Sequence, residues 1–362
     1  MKKIWLIFIL LLFFPQTAYT YRETDEILTE LSGEIEEFDF YGYSEKLKKG
    51  DVLFKAGDIS KSAINFFTES LRETAGQLGA LLLPALLFGI LSSLKSEKQD
   101  GAVHAAYLAC FGFVSVILVG VFSRAVELAE DTAATVDIVH KSLVPVLFAN
   151  LAAMGNITQA VTMKPFVIAA SQIIMQIIRG YILPFIISAF GLILADSITG
   201  YCGLKRLGEL ILKGAERLLA FMMILFIALL SAQSLMAGSI DSAAYKSGRF
   251  AARNFIPVVG AAVSEGLETL SASMKVIKNS AGIAGAVGVA AITFYPLVKI
   301  YACAVMFHII SAFCFPFSDN RFGDIFAAAG KTMAVLGSVV LSMSFVFIVT
   351  AAVIISANPA AV

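Results

Sequence analysis

The chain has 362 residues, of which 58% are hydrophobic and 15% charged, with a mean hydropathy of +0.84; soluble domains run nearer 45–50% apolar and about 25% charged. A soluble globular protein is excluded. The 27 basic and 27 acidic side chains balance, so there is no basic excess to hold a nucleic-acid backbone through phosphate contacts and counterion release, and no nucleic-acid partner is expected.

At the N-terminus Lys2 and Lys3 precede the apolar run Ile4 to Phe14, then Pro15 and the small residues around Ala18. Residues 1–20 read as a secretory signal peptide, because so short a run falls well below the roughly 20 residues that span a bilayer; an uncleaved anchor is the alternative. Residues 21–75 carry 13 acidic and 7 basic side chains and would be delivered outside the cytoplasm. The spacing of Ile59, Ala63, Phe66, Phe67 and Leu71 predicts an amphipathic helix leading into the membrane body. This stretch reads as a solvated lead-in, with a docking surface for an extracytoplasmic partner as the sharper alternative.

Residues 76–356 form the body. The pattern predicts an all-α, polytopic transmembrane helical bundle of about six to eight spans, since only helices satisfy every backbone group of such apolar runs in lipid. Clear spans are Gly76 to Leu94, Ala102 to Phe122, Leu218 to Ala237 and Met333 to Ile355. Leu143 to Met163, Pro165 to Ala195 and Ala281 to Phe317 are apolar but interrupted by proline, glycine or a single charge, and read as kinked spans, short pairs or re-entrant segments.

An internal duplication is visible. Val144-Pro145-Val146 is answered by Ile256-Pro257-Val258, Met163-Lys164 by Met274-Lys275, and Arg206-Leu207-Gly208-Glu209-Leu210 by Arg321-Phe322-Gly323-Asp324-Ile325; Pro184 and Pro296 each lie 39 residues after the first proline of their copy. Residues 102–217 and 218–331 therefore read as two copies of one unit, an arrangement common in membrane transport folds. Each copy would end in an amphipathic helix. In the first, Leu204, Leu207, Ile211 and Leu218 share one face and Lys205, Arg206, Glu209, Lys213 and Arg217 the other, which predicts a helix lying in the membrane interface on the cytoplasmic side. A loop from Ser123 to Ser142 would lie on the opposite side.

Arg179 and Lys299 are lone charges within apolar runs, each within five residues of Pro184 or Pro296. A charge near the bilayer centre costs roughly 2.5–3.5 kcal/mol on insertion scales, so the pair either lines a polar path or marks breaks between short spans; the run of about 16 residues on each side, near the lower limit for a crossing, favours the break.

No motif supplies chemistry. Gly330-Lys331-Thr332 imitates the end of a phosphate-binding loop, but Ile325 stands where the first glycine belongs and no strand precedes it. His104, His140 and His308 are solitary, Cys110, Cys202, Cys303 and Cys314 are far apart, and no Ser-His-carboxylate elbow occurs. No enzyme activity, metal or cofactor is expected.

The second Pro-Val element lies in Ser247-Gly248-Arg249-Phe250-Ala251-Ala252-Arg253-Asn254-Phe255-Ile256-Pro257-Val258-Val259-Gly260, followed by Ser264-Glu265-Gly266-Leu267-Glu268-Thr269 and Met274-Lys275-Val276-Ile277-Lys278-Asn279-Ser280-Ala281-Gly282. Pro257 withholds a backbone donor and Gly260 permits close approach, so a helix beginning here would enter the membrane with Arg249 and Arg253 at the headgroups. The pairs Ala281 with Gly285 and Ala284 with Gly288 give small-xxx-small faces for close helix packing. This block resembles the stage III sporulation protein AE family of endospore-forming bacteria, and the resemblance extends over nearly the whole chain. It implies a multi-pass protein of the mother-cell (outer forespore) membrane, acting without catalytic residues in a secretion-like channel between mother cell and forespore that supports late forespore gene activation and spore development. The partners it implies are other membrane and ring-forming proteins of the same sporulation operon, a separate ATPase, and a forespore membrane protein. A stand-alone secondary transporter is the alternative raised by the duplication and the broken helices.

Overall fold

The computed structural model of the chain describes residues 24–35, 39–49, 67–76, 79–93, 100–154, 156–199, 203–255, 260–317 and 320–356. Among these residues all regular structure is helical and no strand occurs. Helix α1 covers 24–34, α2 Phe40–Lys49 and α3 67–76; a 3-10 turn, Gly79–Leu81, opens α4, Leu82–Ser93. The body follows as α5 (Asp100–Ala153), α6 (Ile157–Ile177), a π-helical turn (Ile178–Ile182), α7 (Leu183–Thr199), α8 (Leu204–Phe255), α9 (Gly260–Phe317) and α10 (Asn320–Ser356). The expected signal peptide, residues 1–20, lies outside the described residues.

Four stretches among the described residues are long and apolar enough to cross a membrane: Ala105–Ala153, Ile157–Ser197, Ser280–Phe315 and Arg321–Ile355. The sequence pattern predicted six to eight. Several segments expected to divide are continuous. Pro145 and Pro165 sit inside α5 and α6 and Pro296 inside α9, and buried helices tolerate proline where neighbours and local adjustment satisfy the freed backbone groups. Of the expected span Gly76 to Leu94, the described part from Gly79 to Ser93 is helical throughout, the 3-10 turn followed by α4. The stretch Ser123 to Ser142, expected as a loop, belongs to the 54-residue α5.

Helix α10 is the central element, packing along α9 over its length and touching α5, α6, α7 and α8. Contacts define two ends. At one, the starts of α5, α8 and α10 meet the ends of α7 and α9: Tyr107 donates to the Ser197 carbonyl at 2.8 Å, the Tyr107 and Phe111 rings pack on Phe322, and Lys205 pairs with Asp324 at 2.7 Å. At the other, α5, α9 and α10 close on small residues. A Cβ added to Gly285 would lie 2.7 Å from Leu143 and 2.9 Å from Phe347, and one added to Gly282 would lie 2.6 Å from Ile355, so the absence of a side chain sets how closely these helices approach. Between the ends, Phe122 of α5 stacks on Phe190 of α7 with ring centres 4.1 Å apart. Gly203, with φ of 63°, turns the chain into α8 through the left-handed region that glycine enters without steric penalty.

The outer surface of the bundle is apolar. Val116, Phe166, Ile173, Phe221, Ile224 and Leu341 are all more than half exposed, an exterior suited to lipid rather than water. The protein is a membrane protein.

The acidic lead is not merely solvated. Leu28, Leu31, Ile35 and Phe40 are buried in the same core as the body helices, Thr24 and Asn150 exchange side-chain hydrogen bonds of 3.3 and 3.4 Å, and Ser44 donates to Ser280 at 3.4 Å. Lys48 pairs with Asp25 at 2.7 Å and ties α2 to α1. Helices α1 and α2 thus fold onto the end of the bundle formed by α5 and α9.

Candidate functional site

Arg179 and Lys299, singled out in the sequence, lie on different helices. Arg179 lies in the π-helical turn between α6 and α7 and is exposed on the outside of the bundle. Lys299 lies on α9, where its ammonium donates to the Tyr295 hydroxyl at 2.9 Å and sits 5.2 Å from the centre of that ring; cation–π contact and the shared hydrogen bond hold the charge at the helix surface. Of the two expected breaks, that at Lys299 is absent because α9 is unbroken, and that at Arg179 is a π-bulge inside a helical run. Such a bulge adds one residue to the turn without ending the helix. Arg249 and Arg253 fall in the last turns of α8 and Gly260 is the first residue of α9, whereas Pro257 lies outside the described residues. Lys205 to Arg217, expected as a separate interfacial helix, are the opening turns of α8 and run straight into the apolar stretch from Leu218. Its buried face carries Gly208, Leu212 and Ala215, while Leu207 is 48% exposed: the inward face is turned by about one residue, because Gly208 presses against the Ala189 carbonyl and Ile193 of α7.

Polar groups gather instead on α5 near α1. Asp137 is 8% exposed; its carboxylate accepts from the Lys141 ammonium at 2.6 Å, one helical turn on, and from Gln172 of α6 at 3.5 Å. His140, 2% exposed, packs edge-on to Phe347 with ring centres 6.0 Å apart, and its Nε2 has no hydrogen-bond partner among the described residues. Beside this group opens a cavity of about 420 Å³ lined by Ile27, Glu30, Leu31 and Glu34 of α1, Lys141, Ser142, Pro145, Val146 and Ala149 of α5, and Lys164 of α6. Pro145 has no N–H, so the Lys141 carbonyl one turn earlier loses its helical donor at the cavity wall. Glu30 and Glu34 line the cavity from α1 and Lys164 from α6, while the Lys141 ammonium is held by Asp137.

Lys164 and Pro145 were visible in the sequence only as members of the repeat. The helical signal for this part of α5 was present, since Ala129, Thr132, Ala133, Val136, His140, Leu143 and Leu147 recur at intervals of three and four, the period of one helix face. No group of three or more His, Cys, Asp or Glu side chains suited to a metal occurs among the described residues. Gly330, which imitated a phosphate loop, is inside α10, where an added Cβ would lie 3.0 Å from the Ala304 carbonyl and His308; its smallness serves helix packing.

The model of the stage III sporulation protein AE family matches residues 38–358. The chain belongs to that family. It is a sporulation protein, and the residues of its family match take in everything from α2 to the end of α10. It is also 22% identical over 335 residues to the stage III sporulation protein AE of Bacillus subtilis (strain 168), a match covering 92% of this chain and 84% of that one. No solved structure matches the chain. Like the family match, this similarity runs through the α5, α9 and α10 core and is not confined to a single motif.

Proposed function

We propose that this protein is a non-catalytic membrane component of a sporulation-specific, secretion-like channel between mother cell and forespore, seated in the mother-cell membrane around the forespore and required for late forespore gene activation. The observation that carries the reading is the family match over residues 38–358. The tall apolar bundle supports a membrane-embedded scaffold or conduit. Packing of α1 and α2 onto the body supports an extracytoplasmic cap at the end formed by α5 and α9, since a signal peptide would deliver these helices to that side. Other membrane and ring-forming proteins of the same operon, an ATPase and a forespore membrane protein would complete the assembly.

Deletion of the protein in its own endospore-forming host tests this. Vegetative growth should be unchanged and heat-resistant spore counts should collapse, with arrest after engulfment. Normal sporulation would overturn the reading, and solute uptake by the protein alone in liposomes would favour a stand-alone transporter.

A further inference from the structure

The cavity between α1, α5 and α6 holds opposite charges that do not neutralise one another. Glu30 and Glu34 stand one turn apart on α1 and form no ion pair among the described residues; neither does Lys164 on the far wall, and Lys141 directs its ammonium to Asp137 on its own helix. Like charges at i and i+4 on a helix repel by a few tenths of a kcal/mol, so this pair is not explained by the stability of α1. The opposed groups line one space of about 420 Å³, within the roughly 300–1,000 Å³ of small-ligand clefts. Ile27, Leu31, Pro145, Val146 and Ala149 supply an apolar floor.

A cavity with two carboxylates on one wall and one uncommitted ammonium, that of Lys164, on the other is strongly polarised. A simple anion would be repelled by Glu30 and Glu34, and a simple cation by Lys164. A molecule carrying both charges, laid across the gap with its polarity opposed to that of the walls, meets a counter-charge at each end. We infer that this cavity binds a zwitterion, a primary ammonium joined to a phosphate or carboxylate, with the ammonium at Glu30 and Glu34 and the anion at Lys164. Two sources offer that chemistry: the headgroup of an ethanolamine phospholipid, and a free zwitterionic solute. Because α1 contributes one wall, binding would also clamp the N-terminal helices onto the body. The inference does not depend on the channel reading.

The test uses the full chain purified in a neutral detergent and follows its melting temperature. The probes are phosphatidylethanolamine, phosphatidylglycerol and phosphatidylcholine of matched acyl chains, together with soluble glycerophosphoethanolamine. Phosphatidylethanolamine should raise the melting temperature by several degrees at saturation, and phosphatidylglycerol, which lacks the ammonium, and phosphatidylcholine, whose quaternary nitrogen has no N–H to donate, should each give less than half that rise. A rise with glycerophosphoethanolamine as well would assign a free zwitterion; a rise only with the diacyl lipid would assign the bilayer as the source. The double variant Glu30→Gln, Glu34→Gln should lose the preference for ethanolamine over choline, and Lys164→Gln should weaken the apparent affinity about tenfold. All three side chains are exposed, so the variants should fold, and Glu26→Gln, exposed on α1 but away from the cavity lining, is the matched control. Equal shifts with all three lipids, or an unaltered preference in the double variant, would overturn the proposal.

Discussion

Single residues in this bundle act mainly through the space they leave or fill. Gly285 admits the Leu143 and Phe347 side chains to within 3 Å of where a Cβ would stand, so Gly285→Ala should destabilise the protein by about 1–3 kcal/mol, the usual range for overpacking a tight core. Gly112 has nothing within 4 Å, and Gly112→Ala should be neutral or slightly stabilising because it removes a glycine from a helix interior; melting temperatures of the two variants in detergent make the comparison. His140 presents a different case. Its buried Nε2 lacks a partner among the described residues, and exchanging an unsatisfied polar group for an apolar one of similar size is near neutral or stabilising. His140→Met should therefore keep or raise the melting temperature. If heat-resistant spore counts nonetheless fall at normal protein level, the imidazole has a working role that its packing does not reveal. Asp137→Asn should lose about 1–3 kcal/mol, as expected for a hydrogen bond to a charged group, because Asp137 is held by Lys141 and Gln172.

Among the elements, α1 and α2 depart furthest from the sequence expectation. Their high charge suggested a solvated lead, yet Leu28, Leu31 and Phe40 are each no more than 1% exposed. Truncating a buried Leu or Phe to Ala costs about 2–5 kcal/mol, enough to loosen two short helices even with Leu31 and Ile35 still buried. Leu28→Ala with Phe40→Ala should leave the membrane body intact while accelerating protease cleavage between residues 24 and 49; an unchanged cleavage rate would show that these helices are not held by that contact. Ile27, Leu28, Leu31 and Ile35 do recur at helical spacing, a signal that the high charge of the stretch obscured. What was not legible was the surface that receives them, since that surface is made of α5 and α9 residues far away in the chain.

At the scale of the molecule, the contacts fix which helix ends lie together, and the proposed signal peptide fixes which of them faces outward. In a cysteine-free background, Thr29→Cys on α1 should react with a membrane-impermeant maleimide in intact protoplasts. Arg206→Cys, at the opposite end on α8, should react only after permeabilisation. The reverse pattern would invert the topology, and labelling of both in intact cells would show that the chain does not cross the membrane between them.

The sequence by itself determined the membrane class, the all-helical architecture and the family. Apolar runs of this length leave the backbone no alternative to intrahelical hydrogen bonding in lipid, and the block around Asn254 to Gly260 carries the family resemblance on its own residues. Helix continuity was decided by tertiary structure. Proline and a lone charge are local signals for a break, but whether a helix ends depends on whether neighbours satisfy the freed carbonyl and whether the charge finds a partner, as Lys299 does on Tyr295. The candidate site was decided there too: Glu30, Lys141 and Lys164 stand on three helices separated by more than a hundred residues of chain between the first and the second, and helical periodicity sets which face of a helix is apolar but not which other helix that face will meet.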